Sequence, residues 1–526
     1  MFYAIVVFGG HEDILRRDAS SSLPRLLGMM LRVTNSEAAA SQGTVRRWHA
    51  ELAWLARGAP GPRGMPGAAA AGLGLGRDVL IEAHGTRFAA VTPEVPAAQV
   101  PPGTVRLPGL TLPGLANAHS HAFHRALRGN VAGAGIGFGF AEGQPDDTFW
   151  TWRERMYAVA QRLDPESYFA LARAVYAEMA LAGITCVGEF HYLHHGPGGA
   201  RYSDQNEMSR LLIAAAAAGG LRITLLDTCY LAGGFIPGGE PVPLAGVQLR
   251  FGDGTAHAWA ERVSGFGCDN LGMAAPHARL GAAIHSVRAV HPDAVPVVMA
   301  WSHSHGAPVH AHLSEQPLEN HECRAAFGKT PAEVLYDAGA LGPRTTLVHA
   351  THLTERDIEL LGGSLSTVCM CPLTEADLAD GVGPAPALAA AGSPLSLGSD
   401  GHSVIDLIEE ARWLELSQRL VTRRRGHFGA PELAEAATAS GHACLGWPDA
   451  GEIVPGALAD LVTISLDSPR LAGGGRDPLA AVFAAGTAAD VRHVVVSGAD
   501  VVRDGRHLLV DDVPRELAAA IGAVLG

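Results

Sequence analysis

"ANAHSHAFHRALRG" spans residues 116–129 and places His119 and His121 one residue apart at the end of an apolar run that begins at "LPG". In a β-strand alternate residues face the same way, so a strand here would project both imidazoles from one face. The pair alone carries little weight. Among 526 residues with 25 His, chance supplies about one His-x-His pair. The chain has three, at His119/His121, His303/His305 and His310/His312. What the first pair means depends on its neighbours along the chain.

Working outward, short apolar runs recur through residues 113–450: "LPGLANAHSH", "TCVGEFHY", "RITLLDTCY", "LGAAIHS", "PVHAHLSE", "TTLVHATHL", "STVCMCP" and "LSLGSDGH". Helical patterns lie between most of them. "DPESYFALARAVYAEMALAG" ends at a glycine stop signal, and "DQNEMSRLLIAAAAAGG" and "PAEVLYDAGAL" are two more. Eight strand candidates separated by helices predict an α/β fold, a (β/α)8 TIM-like barrel whose functional residues sit at the C-terminal ends of its strands.

The flanks read differently. Residues 44–112 hold "VRRWHAELAWLA" and "RDVLIEAHGTRFAAVTPE", and residues 451–526 hold "GEIVPGALADLVTISLD" and "DVRHVVVSGADVVRDGRHLL". Both are short alternating strands with tight-turn signals, and together they predict one small β-sandwich assembled from the two ends. Residues 1–43 show clustered Ser, Asn and Gly without a sustained period. They are expected to be an extension outside both domains, either disordered or the product of a start site set too far upstream.

Composition narrows the class. The formal net charge of −14 argues against a general binder of nucleic acid or of anionic membranes, and an anionic substrate would need its own local cations. The N-terminus lacks the basic region and cleavage site of a signal peptide, and no apolar run is long enough to span a bilayer. Seven irregularly spaced Cys suit a reducing cytoplasm. Cys369 and Cys371 read as same-face residues of a buried strand, since no second Cys pair exists to close a zinc site.

Within the predicted barrel the polar residues fall in step. His119 and His121 are expected to project from the end of strand 1 into the barrel mouth and His310 and His312 to do the same from strand 5, while His349 ends strand 6 and Asp400 ends strand 8, with Glu315 three residues after His312. Neutral imidazoles with one carboxylate suit zinc or another borderline first-row metal. His303/His305, in the Gly/Pro-flanked "WSHSHGAP", read as surface loop.

On these residues the chain resembles the amidohydrolase superfamily. Within it, "HSHAFHRAL", "FWTWRERMY", "EFHYLHH", "HSVRAV", "VHAHLSEQ", "LVHATHLT", "CPLTEADLADG" and "LGSDGHSVIDLIEEARWLELSQRL" are similar to the formimidoylglutamate deiminases, over roughly residues 44–526. The resemblance implies one divalent ion, zinc by preference, on His119, His121, His312 and Asp400. It implies hydrolysis of N-formimino-L-glutamate to N-formyl-L-glutamate and ammonia, in histidine degradation. Asp400 would act as first base, Glu315 as proton carrier and His349 as the group that orients the attacking water. A substrate with two carboxylates calls for the planar fork of arginine, for which Arg288 and Arg153 are the candidates. By resemblance Tyr192 and His285 add hydrogen bonds.

Two features depart from that pattern. His124 stands where the family has Gln, which suggests a group able to titrate at the substrate, and the Gly-rich stretch at 129–147 looks expanded. The helix after "GSDGH" has apolar residues at Ile405, Ile408, Trp413, Leu416 and Leu420, for packing on the barrel or across a homodimer. The competing readings are another deaminase or hydrolase of the superfamily, acting on a guanine-, triazine- or guanidine-like carbon, and a non-catalytic metal-binding barrel.

Overall fold

The computed structural model describes residues 45–55, 74–129, 148–266 and 275–526. The first 43 residues and nearly all of the Gly-rich stretch lie outside them. Four strands come first: β1 (Val45–Trp54), β2 (Leu75–His84), β3 (Arg87–Thr92) and β4 (Val105–Pro113). Next are β5 (Leu115–Ser120), β6 (Ile184–His191) and β7 (Arg222–Cys229), then a short ribbon of β8 (Gly234–Phe235) and β9 (Pro241–Val242). They are followed by β10 (Ala278–Ile284), β11 (Val309–Leu313), β12 (Thr345–His349), β13 (Thr367–Met370) and β14 (Leu395–Leu397). The last are β15 (Leu461–Ile464), β16 (Val491–Val496), β17 (Ala499–Arg503) and β18 (Arg506–His507).

Eight parallel strands pair in the order β5-β6-β7-β10-β11-β12-β13-β14, one for each apolar run. A parallel bridge from Ser120 to Asp400 brings the first strand to the end of the last, and the amides of Ser399 and Asp400 both donate to the His119 carbonyl at 3.1 Å. Asn117 locks the same seam. Its side-chain oxygen accepts the Ser399 amide at 2.9 Å and its amide group donates to the Ser399 hydroxyl at 2.7 Å. A β-carbon on Gly398 would meet the Cβ of His119 at 2.7 Å, so closure requires glycine there.

The lower barrel is filled largely by apolar side chains. Ala116, Ala118, Cys186, Val348, Cys369 and Cys371 pack with Leu445 and Trp447, which follow the helix Ala439–Cys444 and plug the bottom. His310 and His312 share a face of β11, but only His312 reaches the mouth. His310 lies one layer down and donates from Nε2 to the Cys444 carbonyl at 3.1 Å, so its expected place at the mouth is corrected by its depth.

The surrounding helices start and stop where the sequence marks them. Asp164 and Ser167 form a capping box for Pro165–Leu181, and Glu207–Gly219 ends on Gly220 in the left-handed region. His303 and His305 are exposed as expected, but on the last turn of the helix Val295–His305 rather than on a loop. In the helix Leu407–Thr422 the buried face is Leu407, Ile408, Ala411 and Leu414, while Trp413 and Leu416 are partly exposed and Leu420 is 74% exposed. The stripe is offset because polar residues share the buried side. Glu415 accepts the amides of Gly426, His427 and Phe428, and Gln418 donates to the Gly383 carbonyl.

Strands from both ends of the chain form a second, mixed sheet, ordered β18-β17-β16-β15-β4-β1-β2-β3. It is one continuous sheet that curls on itself: Phe88 of β3 exchanges backbone bonds with Gly456 and Ala457, just ahead of β15. The curl encloses Trp48, Val79, Ile81, Phe88, Leu107, Leu461 and Val495. Ser497–Gly498 and Asp504–Gly505 have positive φ and make the two-residue turns that the "SGAD" and "RDGR" texts call for. The chain ends in a helix, Val513–Leu525, which Arg173 ties to the barrel helix Pro165–Leu181 through Glu516. Among the described residues no helix is long and apolar enough to cross a membrane.

Candidate active site

Strand alternation delivers His119 and His121 at the end of β5, and the seam just described brings Asp400 to them. Asp400 Oδ1 lies 3.2 Å from His119 Nε2 and 3.4 Å from His121 Nε2. His312 Nε2 is 3.2 Å from His119 Nε2. Bonds of about 2.0–2.1 Å around a tetrahedral zinc set its ligand atoms about 3.3 Å apart. These spacings are those of neighbouring ligands on one ion; the ligand atoms of His119, His312, His349 and Asp400 lie within 4.8 Å of one another, whereas His121 groups with Asp400 and His124.

The surrounding backbone fixes the tautomers. His121 Nδ1 donates to the Phe190 carbonyl at 2.8 Å and His312 Nδ1 to the His285 carbonyl at 2.9 Å, so each turns an Nε2 lone pair into the site. Burial, reinforced by neighbouring imidazoles, pushes His121 and His312 well below the usual range and keeps them neutral. Burial acts upward on Asp400, but His119, His349 and His121 outweigh it and hold the carboxyl ionised. His349 and Asp400 both have positive φ, at 71° and 33°. Such backbone is costly for these residues and persists where surrounding packing imposes it.

Beside that cluster runs a chain of titratable groups. His349 Nε2 is 3.8 Å from Asp400 Oδ2 and 3.6 Å from Glu315 Oε1, and its Nδ1 is 3.6 Å from Glu375. Burial alone would lower His349, but Glu315, Glu375 and Asp400 raise it well above the usual range. Burial raises Glu315 despite His349 and Arg288 nearby. Arg288 faces two acids, Glu315 at 3.6 Å and Glu319 at 3.9 Å.

These groups open onto a cavity of about 400 Å3. Arg153, Arg288, His285, Tyr192 and His124 all line it, with Tyr157, Tyr230 and Trp152. The Arg153 guanidinium sits 4.5 Å over the Trp150 ring. His124 Nε2 is 3.2 Å from the Tyr192 hydroxyl. Burial lowers His124 to about 4, so the expectation that it titrates near neutrality is corrected: it is a neutral group there.

Several contributors were not singled out in the sequence. Glu189 accepts the Ser120 hydroxyl at 2.8 Å and the Ala122 amide at 2.7 Å, bracketing His121 from behind. Glu319 accepts the Glu315 amide at 3.1 Å and backs Arg288. Glu375 backs His349. The signals available were weak: Glu319 stands four residues after Glu315, and Glu375 lies in the first turn of the short helix Pro372–Asp377.

The chain belongs to the amidohydrolase family, whose model matches residues 110–501. It is a metal-dependent hydrolase of that family, acting on C–N bonds. It is similar to formimidoylglutamate deiminase of Pseudomonas aeruginosa, 39% identical over 80% of this chain and 91% of that protein. A crystal structure of an amidohydrolase from Brucella melitensis superposes with a TM-score of 0.79 at 33% identity, covering 91% of this chain and 100% of the other. A zinc-bound adenosine deaminase from Xanthomonas campestris shares the fold, with a TM-score of 0.72 at 22% identity over 91% of this chain and 97% of that one.

Proposed function

We propose that the protein hydrolyses N-formimino-L-glutamate to N-formyl-L-glutamate and ammonia, a step of histidine degradation. The observation that carries this reading is the pair Arg153 and Arg288 on the wall of a cavity whose floor is the His/Asp cluster, in a protein with a formal charge of −14. Two guanidinium forks lining the same cavity as the His/Asp cluster suit a small dicarboxylate. The similarity to a deiminase of that substrate supports it.

One divalent ion, zinc by preference, would be held by His119, His121, His312 and Asp400. When bound, it supplies a water made nucleophilic at neutral pH. The protein's residues handle the protons. Asp400 takes the first from the attacking water. Glu315 delivers a proton to the departing nitrogen, so that ammonia leaves rather than amide ion. His349 stands between these two acids and, held protonated, stabilises negative charge developing on oxygen. In balance, water adds to the formimino carbon, the carbon–nitrogen bond to the terminal NH breaks, and a formyl group remains.

A second reading is deamination of a purine-like ring, favoured by the aromatic wall of Trp152, Tyr192, Tyr230 and Phe251. One assay separates them. Purified protein is given N-formimino-L-glutamate, N-formimino-L-aspartate and guanine in parallel, and ammonia is measured. Release from the glutamate compound far above the other two supports the proposal; release chiefly from guanine sinks it. A cytoplasmic setting accords with the buried thiols at Cys186, Cys229, Cys323, Cys369, Cys371 and Cys444. A homodimer through the exposed Trp413–Leu420 side of the helix Leu407–Thr422 is a further proposal, tested by sedimentation.

A further inference from the structure

Arg250 ends the short helical turn Gly246–Arg250 and is fully buried. Its guanidinium is spent on main-chain carbonyls. Nε donates to His195 at 2.9 Å, one terminal nitrogen donates to Leu163 at 2.7 Å, and the other donates to Ala160. The Arg250 carbonyl in turn accepts the amides of His194 and His195, each at 3.0 Å. Burying a guanidinium is costly unless its donors are used, so this fork ties two stretches of backbone firmly together.

Both stretches feed the cavity. Ala160 and Leu163 stand at the C-terminal end of the helix Phe149–Arg162, where carbonyls lack partners within the helix and positive charge is favoured. That helix puts Arg153, Met156 and Tyr157 on the cavity wall. Arg153, Tyr157 and Ala160 are spaced i, i+4 and i+7, so they share one face. A grip at Ala160 therefore fixes the rotation of the face that presents Arg153. Gln248, in the same turn as Arg250, grips that face again by donating to the Tyr157 hydroxyl at 3.2 Å. On the other side, His194 and His195 follow Tyr192, which also lines the cavity. Arg153 needs such help. Its Nε is buried without a hydrogen-bond partner among the described residues, whereas Arg288 faces Glu315 and Glu319.

We propose that Gly246–Arg250 positions the Arg153 fork for a substrate carboxylate, with Arg250 acting through the end of the helix and Gln248 through Tyr157. Both are positioning residues that touch no substrate. A displacement of about 1 Å caused far from the chemistry can cost about a hundredfold. The proposal rests on the reading that Arg153 binds a carboxylate of N-formimino-L-glutamate.

The test measures kcat and KM of the zinc-loaded enzyme for N-formimino-L-glutamate and for formamidine by ammonia release. The proteins are the wild type, Arg250→Lys, Gln248→Met, Arg153→Ala, and each of the first two variants combined with Arg153→Ala. Lysine keeps the charge and loses the fork. Arg250→Lys should raise KM for formimino-glutamate about tenfold or more, with kcat changing less, since the contact it disturbs is made in the ground state too. Formamidine should lose less. Gln248→Met should act in the same direction to a smaller extent, and it carries the test if Arg250→Lys does not fold, because it leaves the three carbonyls their donors. In the Arg153→Ala background both effects should shrink to within about twofold, because residues that act through one partner are not additive. Equal losses on the two substrates, losses undiminished without Arg153, or a normal KM in both single variants each overturn the proposal and leave the function reading standing. A wild-type KM in Arg153→Ala removes the carboxylate role of Arg153 and the proposal with it. No turnover of formimino-glutamate by the wild type overturns the function reading as well.

Discussion

At the residue scale the sharpest claims concern Glu315, Arg288 and His124. Glu315→Gln keeps the shape of the side chain and cannot carry a proton. Its turnover should fall about a hundred- to ten-thousand-fold while its zinc content stays normal, measured by ammonia release beside metal analysis. Near-normal turnover with full metal removes Glu315 from the chemistry. Arg288 faces Glu315 and Glu319, so its removal costs more than a substrate contact. Truncating one member of a buried charge pair costs on the order of 2–5 kcal/mol, and each 1.4 kcal/mol is about tenfold. Arg288→Ala should therefore lower kcat/KM for formimino-glutamate by roughly thirty-fold or more. A neutral formamidine should lose less, and Arg288→Lys should restore only part. Equal losses on charged and neutral substrates would make Arg288 structural. For His124, burial to about 4 decides the sign. It stays neutral through the working range, so the pH profile of kcat/KM for His124→Gln should parallel that of the wild type from about pH 6 to about pH 9. A change of shape in that range overturns the assignment of a neutral imidazole.

At the element scale the seam between β5 and the end of β14 does the positioning. Asn117 binds Ser399 twice, and Ser399 and Asp400 both donate to His119, so the two chain segments that supply His119, His121 and Asp400 move as one body. Groups that orient metal ligands are worth about 10–100-fold in metal affinity. Asn117→Ala should weaken zinc binding by about that factor, read by competition with a chelator, while the barrel remains folded. Unchanged affinity would show that β5 and β14 hold their register without it. The elements themselves were legible because their signals are local. Alternation in "ANAHSH" and "VHAHL", and the caps at Asp164 and Gly220, depend on a few neighbouring residues. On the helix Leu407–Thr422 and just before it, apolar periodicity marks Ile408 and Ile405, which are buried, but it does not report Glu415 and Gln418, which are buried where backbone groups farther along the chain satisfy them.

For the whole molecule, the buried histidines set a dependence of stability on pH. Burial lowers His310 to about 3 and His194 to about 4, against about 6.5 in an unfolded chain. Below that value the unfolded state binds protons that the native state refuses, so stability falls as pH falls from about 6.5 towards 4. His349 acts in the opposite sense: its folded value is raised, so its contribution is full below about 6.5 and is lost as pH rises through the folded value. The depressed groups are the more numerous. Calorimetry should show the unfolding temperature dropping over that window, and His310→Gln, which keeps a donor for the Cys444 carbonyl, should drop less. A wild-type profile flat from about pH 6.5 to about pH 4 would contradict this account.

By itself the sequence determined the number and order of the barrel strands, the helices between them, the tight turns of the flanking sheet, and which residues stand at strand ends. All of these follow from period, caps and turn chemistry within a few residues. Only the tertiary structure decided which of those strand-end groups meet. Depth along the barrel separates His310 from His312, and closure of β14 on β5 brings Asp400 within 3.4 Å of His121. Packing across strands sets Glu315, Glu319 and Arg288 together; burial leaves His124 neutral, while Glu315, Glu375 and Asp400 hold His349 charged against its burial. The physical reason is that contact and desolvation depend on residues far apart in the chain, whereas strand and helix formation depend on residues close together.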